Sequence, residues 1–198
     1  MKDWTGNSRA LASLLGVNKD MTTKDREEHD YYATQPIAAE LLIEIENLSP
    51  NIWECACGEG HLAKVFVERG FNVLATDLID RGYGKRCDFL NDLETLPYRN
   101  YDGDIVTNPP YKYAQEFIEK ALDLVTEGHK VCMFLKLQYL EGKSRRKLFD
   151  STPPCRVWVS SGRIQCGKNG DFKGNMAAYC WYVWEKGYKG ETTLKWFN

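Results

Sequence analysis

The sequence predicts a single α/β domain with a mostly parallel β-sheet that is covered by helices on both faces. Short apolar runs typical of buried strands alternate along the chain with amphipathic stretches of about 10–15 residues typical of helices. The 198 residues are enough for one domain with a substantial core and too few for two full domains. In such sheets, ligands bind beyond the carboxyl ends of the strands, where the strand order reverses.

Apolar spacing and turn residues predict the individual elements. Residues 1–33 are polar apart from ALASLL and predict an arm with one short helix, and residues 34–198 form the main domain. Helices are predicted in QPIAAELLIEIENL, GEGHLAKVFVERG and KYAQEFIEKALDLVTEG, where Pro36 suits a first helical turn and Gly70 a helix end. Seven strands are predicted, in NIWECA, NVLATDL, the end of RGYGKRCDFL, DIVTN, KVCMFLKL, CRVWVSS and AAYCWYVWEKG. The stretch EGKSRRKLFDSTPP predicts a basic helix or loop.

The composition argues against membrane, secreted and metal-binding classes. No apolar run approaches the roughly 18 residues of a membrane span. The start MKDWTGNSRA has neither the apolar core nor the cleavage site of a secretory signal. Seven cysteines without a C-x-x-C pair favour reduced thiols over disulfides or a zinc site. We therefore expect a cytoplasmic protein with neither a membrane nor a metal partner.

The net charge of −2 hides an asymmetry between the two parts of the chain. Residues 136–198 carry 12 Lys and Arg against 5 Asp and Glu, which is +7, whereas residues 1–135 carry 14 against 23, which is −9. A basic surface can face a polyanion such as nucleic acid, or it can be a solvated surface whose charges happen to cluster. Within the basic region of about residues 138–175 the candidate phosphate contacts are Lys143, Arg145, Arg146, Lys147, Arg163, Lys168 and Lys173.

Two stretches that follow the first two strands suit a cofactor with a nucleoside part. ECACGEG has Gly58 and Gly60 in a turn between a strand and a helix, where glycine lets the backbone approach a ligand closely. Asp77 ends the second strand, 17 residues after Gly60, and an acidic residue there can accept both hydroxyl groups of a ribose. Each signal alone also fits an ordinary turn, so the prediction depends on their combination.

The stretch DIVTNPPY predicts a site for a planar amino group. The prolines remove two backbone donors, which leaves the Asn108 side-chain oxygen and the Pro109 carbonyl as acceptors, and Tyr111 adds a flat apolar face. An aromatic amine shares its lone pair with the ring and is a poor nucleophile. Two acceptors can draw its hydrogens out of the plane and free the lone pair for attack. No strong base is needed if the electrophile is a methyl sulfonium.

In this order and spacing, ECACGEG, ATDL, DFL and NPPY resemble the motifs of S-adenosylmethionine-dependent methyltransferases that act on exocyclic amines. NPPY is similar to the tetrapeptide of DNA N6-adenine methyltransferases, and YYATQP resembles the Y-x-T-P-P element that precedes their cofactor loop. The resemblance spans residues 31–185 and is nearest to short phage and prophage adenine methyltransferases. It implies a class I methyltransferase fold, a Rossmann-like three-layer sandwich with a seven-strand mixed sheet whose last strand is antiparallel.

The resemblance also implies the residues of the site. Those implied for S-adenosylmethionine are Glu54, Cys55, Gly58 and Gly60 at the methionine end, Thr34 closing over it, Asp77 at the ribose, and Leu78, Asp88 and Phe89 at the adenine. Those implied for the target amine are Asn108, Pro109 and Tyr111, with Phe172 as the candidate for a second aromatic against the target base and Trp158 as the poorer choice.

These expectations point to transfer onto N6 of adenine in DNA, with the base flipped from a duplex or taken from a single strand. RNA guanine-N2 and protein glutamine methyltransferases have motifs similar to NPPY too. A non-catalytic nucleic-acid-binding subunit could keep the same fold. YYATQP and the basic C-terminal third favour DNA, and cytosine-N4 enzymes more often have serine where Asn108 stands. A partner nuclease of a restriction–modification system, a specificity subunit and the oligomeric state stay open.

Overall fold

A computed structural model describes residues 32–167 and 177–197 of the chain. The predicted arm of residues 1–33 lies outside these described residues except for its last two positions. The candidate Phe172 also lies outside them. The helices are α1 (Ile37–Ile45), α2 (His61–Glu68), α3 (Asp92–Thr95), α4 (Ala114–Leu124) and α5 (Arg146–Ser151). The strands are β1 (Ala33–Thr34), β2 (Asn51–Glu54), β3 (Asn72–Asp77), β4 (Lys85–Arg86), β5 (Asp104–Thr107), β6 (Lys130–Lys136), β7 (Arg156–Ser160), β8 (Cys166–Gly167), β9 (Tyr179–Glu185) and β10 (Thr193–Phe197).

The main sheet of the described residues has the strand order β10-β7-β9-β6-β5-β2-β3-β4. All neighbouring strands pair in parallel except β9, which runs antiparallel to both β6 and β7. The predicted mixed sheet and its antiparallel β9 are therefore confirmed. Because all the other strands run the same way, their starts form one end of the sheet and their carboxyl ends form the other.

The expectation of seven strands with β9 last is corrected by an eighth strand, β10. This strand pairs in parallel with β7 along residues 193–197, and four of its five side chains are exposed. Backbone hydrogen bonds to a single neighbour hold it at the border of the sheet. A strand that buries so little apolar surface has no strong signal in the sequence.

Helices on the two faces of the sheet create two separate cores, which confirms the three-layer arrangement. On one face, α1 and α2 contribute Ala38, Leu42 and Phe66 to a core that also contains Ile52 and Trp181. The core on the opposite face contains buried residues of α4 and the α5 residue Leu148. The central strands are buried on both sides, as expected for strands that lie between two helical layers.

A separate two-stranded ladder lies beside the carboxyl end of β5. In it, β1 pairs antiparallel with β8, so that Ala33 faces Gly167 and Thr34 faces Cys166. This pairing brings the YYATQP segment into the same region as the loop that follows β5. It joins positions that are more than 130 residues apart, so no local pattern predicts it.

All seven cysteines of the chain are buried free thiols. Cys55 and Cys180 belong to one core, and Cys132, Cys155 and Cys166 belong to the other. Along residues 32–167 and 177–197, no helix has the length and apolarity needed to cross a bilayer.

Candidate active site

A cavity of about 590 Å³ opens at the carboxyl end of the parallel strands. Its walls come from the ends of β2, β3 and β5, from the segment after β4, and from residues 32–34. This volume is within the roughly 300–1,000 Å³ typical of small-molecule sites. The cavity therefore lies where a sheet of this kind binds its ligands.

The NH2 end of the Asn108 side chain is held by hydrogen bonds, whereas its oxygen is buried without a partner among the described residues. Its Nδ2 atom donates to Thr34 Oγ1 at 2.8 Å and to the Tyr32 carbonyl at 3.2 Å. Its Oδ1 atom is buried and has no hydrogen-bond partner among the described residues. Asn108 and Pro109 both line the cavity. The Pro110 carbonyl, by contrast, already accepts a hydrogen bond from the Tyr113 N–H at 2.9 Å.

Tyr111 presents an aromatic face beside this corner. Its ring stacks near Tyr32, with 6.1 Å between centroids and 20° between planes, and lies 6.3 Å from the ring of Tyr179. The Lys136 ammonium sits 5.3 Å from the centroid of the Tyr111 ring. Burial raises the pKa of the Tyr111 phenol well above its usual value, so this group is neutral and acts as a packing surface.

Glu54 ends β2, the strand that pairs with β5, and its side chain is almost completely buried. Its Oε2 atom has no hydrogen-bond partner within the described part of the chain. Burial raises the pKa of this carboxyl well above the usual 4.5, a hydrogen bond from the Ala63 backbone lowers it, and the charge of Asp77 raises it further. Cys55 lies next to Glu54 in the cavity wall, and burial raises the pKa of its thiol well above 9.0.

Asp77 ties the glycine turn to the end of β3. Its Oδ2 accepts from the Gly58 N–H at 2.8 Å and its Oδ1 accepts from the Ile79 N–H at 2.9 Å, while Arg81 lies 3.8 Å from Oδ1. Each carboxylate oxygen can accept one further hydrogen bond. Asp77 lines the cavity and keeps the capacity to accept two hydroxyl groups, which is what the ribose prediction requires.

The two predicted glycines shape this turn without themselves lining the cavity. Both have positive φ angles, 55° at Gly58 and 79° at Gly60. A Cβ atom at Gly60 would meet the Tyr83 ring at 2.4 Å, so glycine is required there for packing. Their contribution is the path of the backbone from β2 into α2.

The residues implied for the cofactor's adenine lie together along one wall. Leu78 is 43% exposed and lines the cavity beside Ile79, which gives an apolar surface for a flat ring. The Asp88 Oδ1 atom accepts from the Leu90 N–H at 3.0 Å, and Asp88 lines the cavity too. Phe89 borders the cavity, but it is only 2% exposed and packs edge-on against Trp53.

Trp158 and most of the predicted basic residues lie apart from this cavity. The Trp158 indole donates to Glu46 at 2.7 Å, at the opposite end of the sheet. Arg145 packs over the Tyr139 ring and donates to the Tyr139 carbonyl, and Arg146 pairs with Asp150. Lys143, Lys147 and Arg163 are exposed, while Lys168 and Lys173 lie outside the described residues.

Sequence reasoning missed three contributors to the cavity region. Tyr32 supplies both a carbonyl to Asn108 and a stacking ring, and Lys136 supplies a cation at the end of β6. His61 lines the cavity at the start of α2, and burial lowers the pKa of its imidazole. The tyrosine pair in YYATQP was the available signal for Tyr32. No comparable signal marks Lys136, because its position depends on the sheet order.

The cavity thus combines three carboxylates with an amide and an aromatic ring. Glu54, Asp77 and Asp88 suit a ligand with an ammonium group and hydroxyl groups, and Asn108 with Tyr111 suits a flat amine. In the described ranges no group of three or more His, Cys, Asp or Glu side chains is arranged to hold a metal ion.

Several solved structures share this architecture. A candidate RNA methyltransferase from Pyrococcus horikoshii aligns with a TM-score of 0.59 and 15% identity over 91% of this chain and 99% of its own. A predicted O-methyltransferase from Agrobacterium tumefaciens aligns with 0.57 and 14% identity over 80% and 85%. A candidate class I S-adenosylmethionine-dependent methyltransferase from Listeria monocytogenes aligns with 0.55 and 14% identity over 96% and 71%. No protein-family model matches the chain, and neither does any curated protein sequence. At these identities the likeness shows the fold, and the predicted class I methyltransferase fold is confirmed.

Proposed function

We propose that this protein uses S-adenosylmethionine to methylate the exocyclic N6 amine of adenine in DNA. The observation that carries the proposal is that Asn108 lines the cavity and that its buried Oδ1 atom has no partner among the described residues. A buried acceptor without a donor costs free energy, so its retention favours a ligand that donates to it. An amino group on a flat ring supplies that donor.

The residues of this corner have separate tasks in the proposed reaction. Asn108 Oδ1 accepts a hydrogen of the amine and pulls it out of the ring plane, which concentrates the lone pair on nitrogen. Pro109 has no N–H that could compete for that acceptor. The Tyr111 face holds the ring so that the nitrogen stays in place. As the nitrogen–carbon bond forms and the carbon–sulfur bond breaks, the nitrogen gives up a proton to solvent.

The carboxylates at the ends of β2 and β3 fit the proposed cofactor. The unpartnered Glu54 Oε2 atom suits an ammonium group, and Asp77 suits two ribose hydroxyls. When bound, S-adenosylmethionine supplies a methyl group on a positively charged sulfur that leaves as a neutral thioether. A nearby ammonium would favour the ionised form of Glu54 and offset the effect of burial on its pKa.

The charges around the amine end favour an anionic polymer as the substrate. Lys112 lines the cavity and Lys136 lies over Tyr111, and both are close enough to the amine corner to meet a phosphate backbone. Lys143 and Lys147 add exposed positive charge in the segment that follows β6. These charges support a nucleic acid as the substrate, and the resemblance of YYATQP and NPPY supports DNA.

The test is methyl transfer from labelled S-adenosylmethionine to unmethylated duplex DNA, single-stranded DNA, RNA and a protein lysate, followed by mass spectrometry of nucleosides and amino acids. We expect N6-methyladenine from DNA. Asn108→Ala should lower the rate by roughly 100- to 1,000-fold, the usual effect of removing one preorganised hydrogen-bonding group. Its affinity for the cofactor, measured by calorimetry, should stay unchanged.

Asn72→Ala is the matched control, because Asn72 is an exposed asparagine at the start of β3 whose side chain donates to Asn51 Oδ1 at 3.2 Å. It should retain full activity. Methylated guanine in RNA or methylated glutamine would replace the DNA assignment. Cofactor binding without transfer to any polymer would overturn catalysis and favour a nucleic-acid-binding subunit.

A further inference from the structure

The hydrogen bonds of the Asn108 amide hold it in one of two possible orientations. A primary amide has a donor end and an acceptor end, and the two are told apart by their partners. The Tyr32 carbonyl can only accept, so it requires the NH2 end of Asn108 on its side. A flipped amide would put two acceptors against each other there and would turn a donor toward the target amine.

Thr34 makes the shortest of the contacts that hold this orientation, which also include a longer one from Asn108 Nδ2 to Cys166 Sγ at 3.8 Å. Its Oγ1 atom accepts from Asn108 Nδ2 at 2.8 Å, compared with 3.2 Å for the Tyr32 carbonyl. The Thr34 side chain is buried, with only 3% of the residue exposed, so water does not compete with this bond. The Cys166 Sγ atom lies 3.8 Å from Thr34 Oγ1 and can take the hydroxyl hydrogen.

The ladder between β1 and β8 keeps Thr34 at this location. Thr34 pairs with Cys166 across the ladder, and the neighbouring Gln35 N–H donates to the Gln165 carbonyl at 3.1 Å. These bonds hold the hydroxyl over the loop that follows β5, although Thr34 and Asn108 are 74 positions apart. The hydroxyl is therefore an anchored acceptor and not a mobile surface group.

From this geometry we infer that Thr34 is a positioning residue, which fixes the Asn108 amide with its oxygen toward the cavity. The inference rests on the proposed function for its catalytic consequence. It differs from the role that the family resemblance implies, in which Thr34 closes over the methionine end of the cofactor. A cofactor contact would change the affinity for S-adenosylmethionine, whereas a positioning role changes the rate at saturating cofactor.

The first test needs no activity and uses the whole protein labelled with 15N-asparagine. The side-chain NH2 signals of Asn108 are identified by their loss in Asn108→Ala. In Thr34→Val, which keeps the shape and removes the hydroxyl, these signals should shift and their hydrogen exchange should speed up roughly tenfold, the value of one hydrogen bond. Thr34→Ser should restore the wild-type signals. Unchanged Asn108 signals in Thr34→Val would overturn the inference.

The second test compares methyl transfer and cofactor binding in the same variants. Thr34→Val should lower kcat roughly tenfold with an unchanged Kd for S-adenosylmethionine, and Thr34→Ser should recover kcat. Thr126→Val is the control, because its hydroxyl donates to the Tyr101 carbonyl at 3.5 Å, far from the cavity. A raised Kd with normal kcat would assign Thr34 to the cofactor instead. If the wild-type protein methylated nothing, the proposed function would fail, and the asparagine signals would still decide the orientation.

Discussion

Two buried glutamates at opposite ends of the sheet have very different surroundings. At the amino end, both oxygens of Glu46 accept hydrogen bonds from the Arg156 guanidinium, and Trp158 donates to Oε1 as well. At the carboxyl end, the Oε2 atom of Glu54 is equally buried and has no hydrogen-bond partner in the described part of the chain. The two residues differ little in exposure, 7% for Glu46 and 2% for Glu54, so the difference lies in their partners.

The same contrast holds for Asp104 and Asn108, which stand at the two ends of β5. Asp104 accepts from the backbone N–H groups of Ser49 and Lys130, both at 2.7 Å, and contacts the His129 ring. The Asn108 Oδ1 atom has no partner among the described residues. The first residue of β5 therefore has its carboxylate oxygens hydrogen-bonded, whereas the residue that follows β5 has a side-chain oxygen without a partner.

The comparison separates stability from function within one sheet. A buried polar atom whose hydrogen bonds are complete holds elements together, whereas one that is left without a partner lowers stability. Such costs persist in proteins mainly where a ligand makes the missing bond. Substitutions at the amino end should therefore change folding, and substitutions at the carboxyl end should change binding and transfer.

The largest stability effect is expected for Glu46→Gln. The change removes the carboxylate that accepts two hydrogen bonds from the partly buried Arg156 and should lower the free energy of unfolding by about 3 kcal/mol, roughly 6–12 °C in Tm. Glu185→Gln is the control, because Glu185 lies 3.7 Å from the same guanidinium and is more exposed. That variant should lose less than about 1 kcal/mol. Equal losses in urea titrations of both variants would contradict the distinction between the two ends.

A smaller effect, on binding, is expected for Asp77→Ala. Removing the carboxylate deletes the proposed ribose acceptors and the bond to the Gly58 N–H. Affinity for S-adenosylmethionine should fall by about 2 kcal/mol, roughly thirtyfold in Kd. Asp80→Ala removes a nearby exposed carboxylate and should leave Kd unchanged in the same calorimetric titration. An unchanged Kd for Asp77→Ala would remove its ribose role.

The smallest effect, and the one of opposite sign, is expected for Glu54→Gln without ligand. Burial raises the pKa of Glu54, so the native state holds its proton more tightly than the unfolded state does. The free energy of unfolding of the wild type then falls as pH rises from below 4.5 through the native pKa of Glu54. Glu54→Gln has no carboxyl at this position and does not show this fall. Glu54→Gln should be more stable than wild type by about 1 kcal/mol at pH 8 and should lose this advantage at pH 4.

This pH dependence is read from urea titrations at the two pH values. Glu68→Gln, an exposed change on α2, serves as the control and should match wild type at both. A gain for Glu54→Gln that is the same at pH 4 and pH 8 would show that titration of this carboxyl is not its cause. If the same variant also loses S-adenosylmethionine binding, the carboxyl that lowers the stability of the protein is the one that the cofactor needs.

Much of the fold and of the site could be predicted because their signals are local. The runs NIWECA and KVCMFLKL have the apolar density of strands between two helical layers, and Gly70 marks the end of α2. Parallel strands put their carboxyl ends together, so residues such as Asp77 and Asn108 that follow different strands meet at one cavity. This rule needs only the order of elements along the chain.

By itself the sequence determined the α/β class and put Glu54, Asp77 and Asn108 at the ends of strands, where the cavity lies, and its resemblance to a known family implied the antiparallel strand. Only the tertiary structure decided that β10 extends the sheet, that Glu46 binds Arg156, and that Thr34 and Tyr32 hold the Asn108 amide. The physical reason is that hydrophobic periodicity and turn chemistry act between near neighbours in the chain. The orientation of a buried amide depends instead on partners that only the packed fold brings together.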